Sequence, residues 1–186
     1  MFRAVLFFVA LGIGSLSHGA APVLDNERVT VWDSVGPLPP MQHDFVAVSL
    51  SQKDTAVFGR KGDAAGKPGI RTVVIEIKDH PLAPIANNTG YPPAFPRRYA
   101  KKLLENDQVV AWDNVWHAGK PTPMHFHDKD ALVVYEATGA LQSTAADGKQ
   151  AVFEYRFGEV RFSPRDHSHT ESLVRGHGRA VITELK

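Results

Sequence analysis

The sequence predicts an antiparallel all-β protein, and three observations carry that expectation. Apolar residues recur in short runs with a period near two instead of the 3.6 of an amphipathic helix. Gly, Pro, Asp and Asn punctuate the runs. The runs themselves are rich in Val, Ile, Phe, Tyr and Trp, which suit a pleated, half-buried surface. Many short strands separated by turn residues point to a sandwich or a barrel.

The chain of 186 residues opens with Met1, Phe2 and Arg3, an apolar run from Ala4 to Leu11, then Gly12, Gly14 and small residues up to Ala21. This is the three-part plan of a secretory signal peptide over residues 1–21, with cleavage expected near Gly19 to Ala21. A transmembrane helix needs about 20 consecutive apolar residues, and this run is shorter. The expectation is an exported chain, periplasmic if the organism is bacterial, with no stable membrane insertion after cleavage.

The sequence has no cysteine, so disulfides and thiolate ligands are excluded and any metal site must use nitrogen and oxygen. A formal net charge of +1, with no basic run longer than Arg97-Arg98 or Lys101-Lys102, argues against a nucleic-acid partner.

Taken in order, strands are expected over residues 28–35, 45–50 and 72–77 in an amino-terminal unit spanning 22–80. Five prolines between Pro81 and Pro96, with Asn87-Asn88 and Gly90, cannot continue a sheet interior and read as a linker. The spacing of Tyr99, Leu103 and Leu104 predicts one short amphipathic helix over 97–105, which closes a connecting segment of 81–107. Strands return over 109–116, 131–135, 151–157 and 180–185, in a carboxy-terminal unit spanning 108–186. Trp32, Trp112, Trp116, Phe153, Tyr155 and Phe157 are expected as core more than as a ligand pocket.

The two units echo each other. Val29-Thr30-Val31-Trp32-Asp33-Ser34-Val35 answers Val109-Val110-Ala111-Trp112-Asp113-Asn114-Val115, and the segment Arg71 to Lys78 answers Arg179 to Lys186. Between them, Pro40-Met41-Gln42-His43-Asp44 is set against Pro123-Met124-His125-Phe126-His127. An ordered series of matches predicts a duplicated β-unit, with Gln42 and Asp44 in place of His125 and His127 in the first copy and the chemistry in the second.

His125-Phe126-His127 places two imidazoles two residues apart, so on a strand both project from one face and can share one divalent ion, each nitrogen at about 2 Å. Phe126 packs on the other face. About forty residues on, Gly158 to His169 offers a strand, a turn at Pro164 and a second pair, His167 and His169.

His125-Phe126-His127 with Gly139, followed by Gly158, Pro164 and His169, resembles the two signature motifs of the cupin superfamily. The resemblance implies a conical antiparallel barrel of the double-stranded β-helix type, related to the RmlC-like jelly roll, duplicated as in a bicupin with a degenerate first barrel. It implies His125, His127 and His169 as metal ligands, with His167 an alternative in a shifted register. The family's ligand Glu falls at Leu132, which cannot coordinate; Asp130, two residues earlier, is the nearest substitute. Asp166 stands in the place of the family's turn Gly, a position Asp can adopt.

The sequence has no Gly-x-Ser-x-Gly elbow and no Gly-rich phosphate loop, which disfavours covalent and nucleotide chemistry. Three imidazoles with a carboxylate or water suit Fe, Mn, Ni, Cu or Zn. The leading expectation is metal-centred binding of, or action on, a small organic molecule. If the chain is an enzyme, the resemblance implies a metal-dependent oxygenase, lyase or isomerase; the alternative is a non-catalytic small-molecule or carbohydrate-binding or structural barrel without metal. Edge strands of such barrels pair between subunits, so a homodimer fits both readings.

Overall fold

A computed structural model describes residues 21–51, 56–83 and 85–186; the apolar leader of residues 1–20 lies outside the described residues. Among these there are fourteen strands and no helix, so none is long and apolar enough to cross a membrane.

The amino-terminal unit forms one antiparallel sheet in the order β1 (Leu24–Asp25), β2 (Val29–Val35), β5 (Arg71–Ile77), β3 (Phe45–Ser49) and β4 (Ala56–Gly59). The rest of the chain forms two sheets. One is five-stranded, in the order β12 (Val160–Ser163), β9 (Ala131–Tyr135), β14 (Gly178–Leu185), β7 (Val109–Trp116) and β6 (Ala100–Glu105). The other is four-stranded, in the order β11 (Gln150–Tyr155), β10 (Gly139–Ala145), β13 (His167–Gly176) and β8 (His125–His127).

Alternation along each strand assigns its two faces. On β14, Val181 and Leu185 join Val109, Leu132 and Val134 in a core shared with Val29, Val31, Val46, Val48, Val73 and Ile75 of the amino-terminal sheet. The alternate residues Ala180 and Ile182 turn the other way, with Val110, Trp112, Trp116, Ala131 and Tyr135, and pack on Leu141 and Tyr155 of the four-stranded sheet. The five-stranded sheet is therefore the middle of three layers, which is why β7 and β14 are apolar on both faces. The far face of the amino-terminal sheet is covered by Leu38, Met41 and Ala65 from its own loops.

The helix expected over 97–105 is not formed. The segment from Ala100 to Glu105 pairs with β7 as an edge strand, and a bulge between Lys102 and Leu104 interrupts its register. The extra residue lets Leu103 and Leu104 both pack on the shared core. Two adjacent leucines on one face looked helical because the bulge breaks the period of two.

Strands β2 and β5 pair from Val29 opposite Ile77 to Val35 opposite Arg71, and β7 and β14 from Val109 opposite Leu185 to Val115 opposite Arg179. Side-chain links recur at matching positions. Arg71 binds Asp33 as Arg179 binds Asp113, and the indoles of Trp32 and Trp112 donate to Glu76 and Glu184. Asn26 and Asn106 each accept from the two backbone N–H groups that open the following strand.

The same registers correct one match. Phe45 faces Glu76 on β5 as Ala131 faces Glu184 on β14, and the carbonyls of Asp44 and Asp130 accept from Ile77 and Leu185. Asp44 thus corresponds to Asp130 and not to His127. The loops before β3 and β9 differ, so a local likeness around Pro-Met misled the count.

Candidate metal centre

The carboxy-terminal barrel brings three of the sequence-predicted ligands together. On β8, His125 and His127 point to one side while Phe126 between them is buried on the other, its backbone paired to Pro92 and Ala94. β13 runs antiparallel beside it, with His169 opposite His125 and His167 opposite His127. The turn that delivers β13 places Asp166 at φ 68° and ties its N–H to the His127 carbonyl at 2.8 Å. An aspartate thus takes the left-handed position expected of it.

One ring nitrogen each from His125, His127 and His169 falls within 4.8 Å of the others. The Nε2 atoms of His127 and His169 are 3.2 Å apart. Two imidazoles bound to one ion at about 2.0–2.1 Å in tetrahedral geometry would set their nitrogens about 3.3 Å apart. His125 Nδ1 lies 2.8 Å from the Pro123 carbonyl, which can only accept, so Nδ1 carries the proton and Nε2 keeps its lone pair. Ser143 Oγ sits 3.2 Å from His169 Nδ1 and can fix that ring in the same way.

Burial pushes all four imidazoles down. His125 falls to about 4, through desolvation and then the nearby Arg97 cation, while desolvation lowers His127, His167 and His169. The rings are neutral near pH 7, the state a metal ligand requires. The donor set fits a metal ion. His167 is not in the triad; its ring stacks on His127, centroids 4.5 Å apart.

Asp130 is not brought to the histidines. Its carboxylate takes Arg28 Nη1 at 2.6 Å and the Arg165 N–H at 2.9 Å. Leu132 is fully buried in the core shared with the amino-terminal sheet, so the position of the family's Glu faces away from the site.

Two residues the sequence reading passed over complete the surroundings. Glu171, two residues beyond His169 on the same face of β13, is buried and accepts from Trp116 Nε1 at 2.9 Å and Arg97 Nη2 at 3.3 Å. The repeat His167-x-His169-x-Glu171 carried that signal. Burial alone would raise Glu171, but the positive charge beside it, that of Arg97 foremost, outweighs burial and holds the carboxyl below its ordinary range. Arg97 also donates to Asn114 and places Nη1 3.1 Å from His125 Nε2. It comes from the proline-rich connection, where no periodicity announces it.

No protein-family model matches the sequence, and no curated protein matches it. Solved structures do. A cupin 2 conserved barrel domain protein from Leptotrichia buccalis aligns at TM-score 0.53 and 12% identity, over 90% of this chain and 88% of that one. A cupin domain from Bordetella pertussis aligns at TM-score 0.40 and 20% identity, over 53% of this chain and 97% of the other. An RmlC-like cupin with a double-stranded β-helix fold from Methanocaldococcus jannaschii aligns at TM-score 0.39 and 12% identity, over 56% and 90%. The Leptotrichia match takes in the amino-terminal sheet as well as the barrel that holds the histidines, and with the sheet order above it gives this chain the cupin fold.

Proposed function

We propose that this chain is an exported metal-binding protein whose carboxy-terminal barrel holds a divalent transition-metal ion through His125, His127 and His169 and takes a small organic molecule beside it. The observation that carries this reading is the convergence of three neutral imidazoles, two buried and one half-buried, on one point. With three protein ligands the ion would keep open positions, and it would there polarise a bound oxygen as a Lewis acid. Glu171 balances the charge of Arg97, and Ser143 and the Pro123 carbonyl orient the rings. In this reading the amino-terminal sheet is a degenerate copy of the barrel's five-stranded sheet and supports it from behind.

The test is elemental analysis of the purified protein beside a His125→Ala/His127→Ala variant, with folding checked by circular dichroism. Near-stoichiometric metal that is lost in the variant supports the reading; a wild-type protein that stays metal-free after incubation with Fe, Mn, Ni, Cu and Zn sinks it. One observation favours a metal-free barrel instead. The Arg97 guanidinium already donates to the lone pair of His125, and a barrel binding its molecule through Arg97 and the histidines alone would survive treatment with a chelator.

A further inference from the structure

We propose that Glu136 is a proton-operated clasp at the place where β9 ends beside β14: with a proton on its carboxyl the junction is closed, and ionisation of Glu136 weakens it. The inference is independent of the metal and of the small molecule, because it uses none of the residues of the histidine site.

The internal duplication supplies a control. In both units an arginine grips an aspartate on the neighbouring strand through the same fork. Arg71 Nε and Nη2 reach Asp33 at 3.0 and 2.7 Å, and Arg179 Nε and Nη2 reach Asp113 at 3.0 and 3.1 Å. In both, the carbonyl of that arginine accepts at 2.9 Å from the residue that follows the strand on its other side, Leu50 after β3 in the first unit and Glu136 after β9 in the second. Leu50 is buried in the core between the sheets, so an apolar side chain suits this place. The fold itself asks for no carboxyl at position 136.

The carboxyl that is there meets an excess of negative charge. Glu136 Oε2 lies 3.1 Å from Arg179 Nε, and the single hydrogen of that nitrogen is already given to Asp113. The Glu136 and Asp113 side chains are only 9% and 12% exposed, so two carboxylates are set against one guanidinium nearly out of water. Lys101 faces Asp113 across β6 and β7, but its side chain is exposed and its charge acts on Asp113. A proton on Glu136 removes the excess charge and turns an acceptor into a donor. Burial first, and then the charge of Asp113, push the Glu136 carboxyl up to about 7; burial raises Asp113 as well, against the pull of Lys101. The proton is held in mildly acid medium and lost in mildly alkaline medium. The junction bears on the barrel because Tyr135, the residue before Glu136, stacks on Tyr155 within it, ring centres 4.2 Å apart.

Glu136 titrates near 4.5 when unfolded and near 7 when folded. The folded carboxyl binds the proton more tightly, so its stabilisation is fully present below pH 4.5 and disappears as the pH rises through 7. The experiment is urea unfolding of the full purified protein from pH 5 to pH 9, beside Glu136→Gln, which keeps the shape of the protonated carboxyl and cannot ionise. Between pH 5 and pH 8 the folded-to-unfolded ratio of wild type should fall about ten- to a hundredfold relative to that variant, the other titrating groups being common to both. Glu136→Leu, which copies Leu50, is a second variant and should show the same trend. Infrared spectroscopy of wild type needs no variant to fold: the carbonyl band of a protonated carboxyl should fade between pH 6 and pH 8, and Glu136→Gln should lack that step. The proposal is overturned if no such band fades in wild type, if the fading band survives in Glu136→Gln, or if the stability ratio to either variant stays constant with pH.

Discussion

Asp130 Oδ2 lies 2.6 Å from Arg28 Nη1, and both side chains are more than nine-tenths shielded from water. The pair crosses from the amino-terminal sheet to the barrel. Its counterpart is the hydrogen bond from Gln108 to Asp44 at 3.2 Å, in which the two units exchange roles. Asp130 also holds the Arg165 N–H, and the next residue, Asp166, is bonded to His127. Removing one member of a buried ion pair leaves the other uncompensated, at about 3–5 kcal/mol. Arg28→Met should lower stability by that amount in urea unfolding. A folded Asp130→Asn protein should keep its metal, since the carboxylate faces Arg28; loss of metal with the fold intact would make Asp130 a ligand after all.

The contact between Arg97 and His125 sets two consequences of opposite sign. Arg97→Met removes a cation from beside the ligand nitrogen, and metal affinity should rise by roughly ten- to a hundredfold in a chelator competition. The same change strands Glu171 without its partner and should cost about 3–5 kcal/mol in unfolding. Tighter metal in a less stable protein is the expected outcome. Weaker metal would mean that Arg97 orients His125 and does not compete at it.

Acid should unfold the metal-free protein through its histidines. His125 titrates near 6.5 when unfolded and near 4 when folded, so between those values the unfolded chain binds the proton and the folded chain does not. Its contribution is fully present above pH 6.5, declines as the pH falls, and is gone below about 4. The amount is on the order of 3 kcal/mol. Urea unfolding of metal-free wild type and His125→Gln, compared from pH 8 to pH 4, isolates this part because the carboxylates are common to both. The gap between the two proteins should shrink across that window; a constant gap would show that His125 is not held neutral by the fold.

Strand parity made much of this molecule legible. The Val-rich segments that became β5, β7 and β14 are buried on both faces, and β2 buries Val29 and Val31 on one; all four are bounded by turn residues, so their composition marked them. A period of two also sent His125 and His127 to one side, and the same rule extended along β13 would have added Glu171. Parity cannot say what lies on each side of a strand. Asp130 and Leu132 were rightly placed on one face, but that face meets the amino-terminal sheet. Strands β4 and β10 escaped notice because they are short or carry Gly, Gln, Ser and Thr in place of apolar residues. Arg97 was out of reach because a connection rich in proline has no repeat from which to infer a direction.

The orientation of β9 gives the last prediction. Counting along the family motif puts its acidic ligand at Leu132, so Leu132→Glu looks like a repair of the site. The structure reverses that expectation. Leu132 is fully buried among Val29, Val31, Val134 and Val181, where a carboxylate finds no partner and must either stay charged at high cost or take up a proton. Leu132→Glu should lose about 4 kcal/mol or more and gain no metal affinity. Its neighbour Val133 is half-buried and packs with the residues inside the barrel. Val133→Glu should therefore cost measurably less in parallel urea titrations. If instead Leu132→Glu folds normally and binds metal more tightly than wild type, β9 presents its other face to the histidines, and the packing of the two sheets described above is wrong.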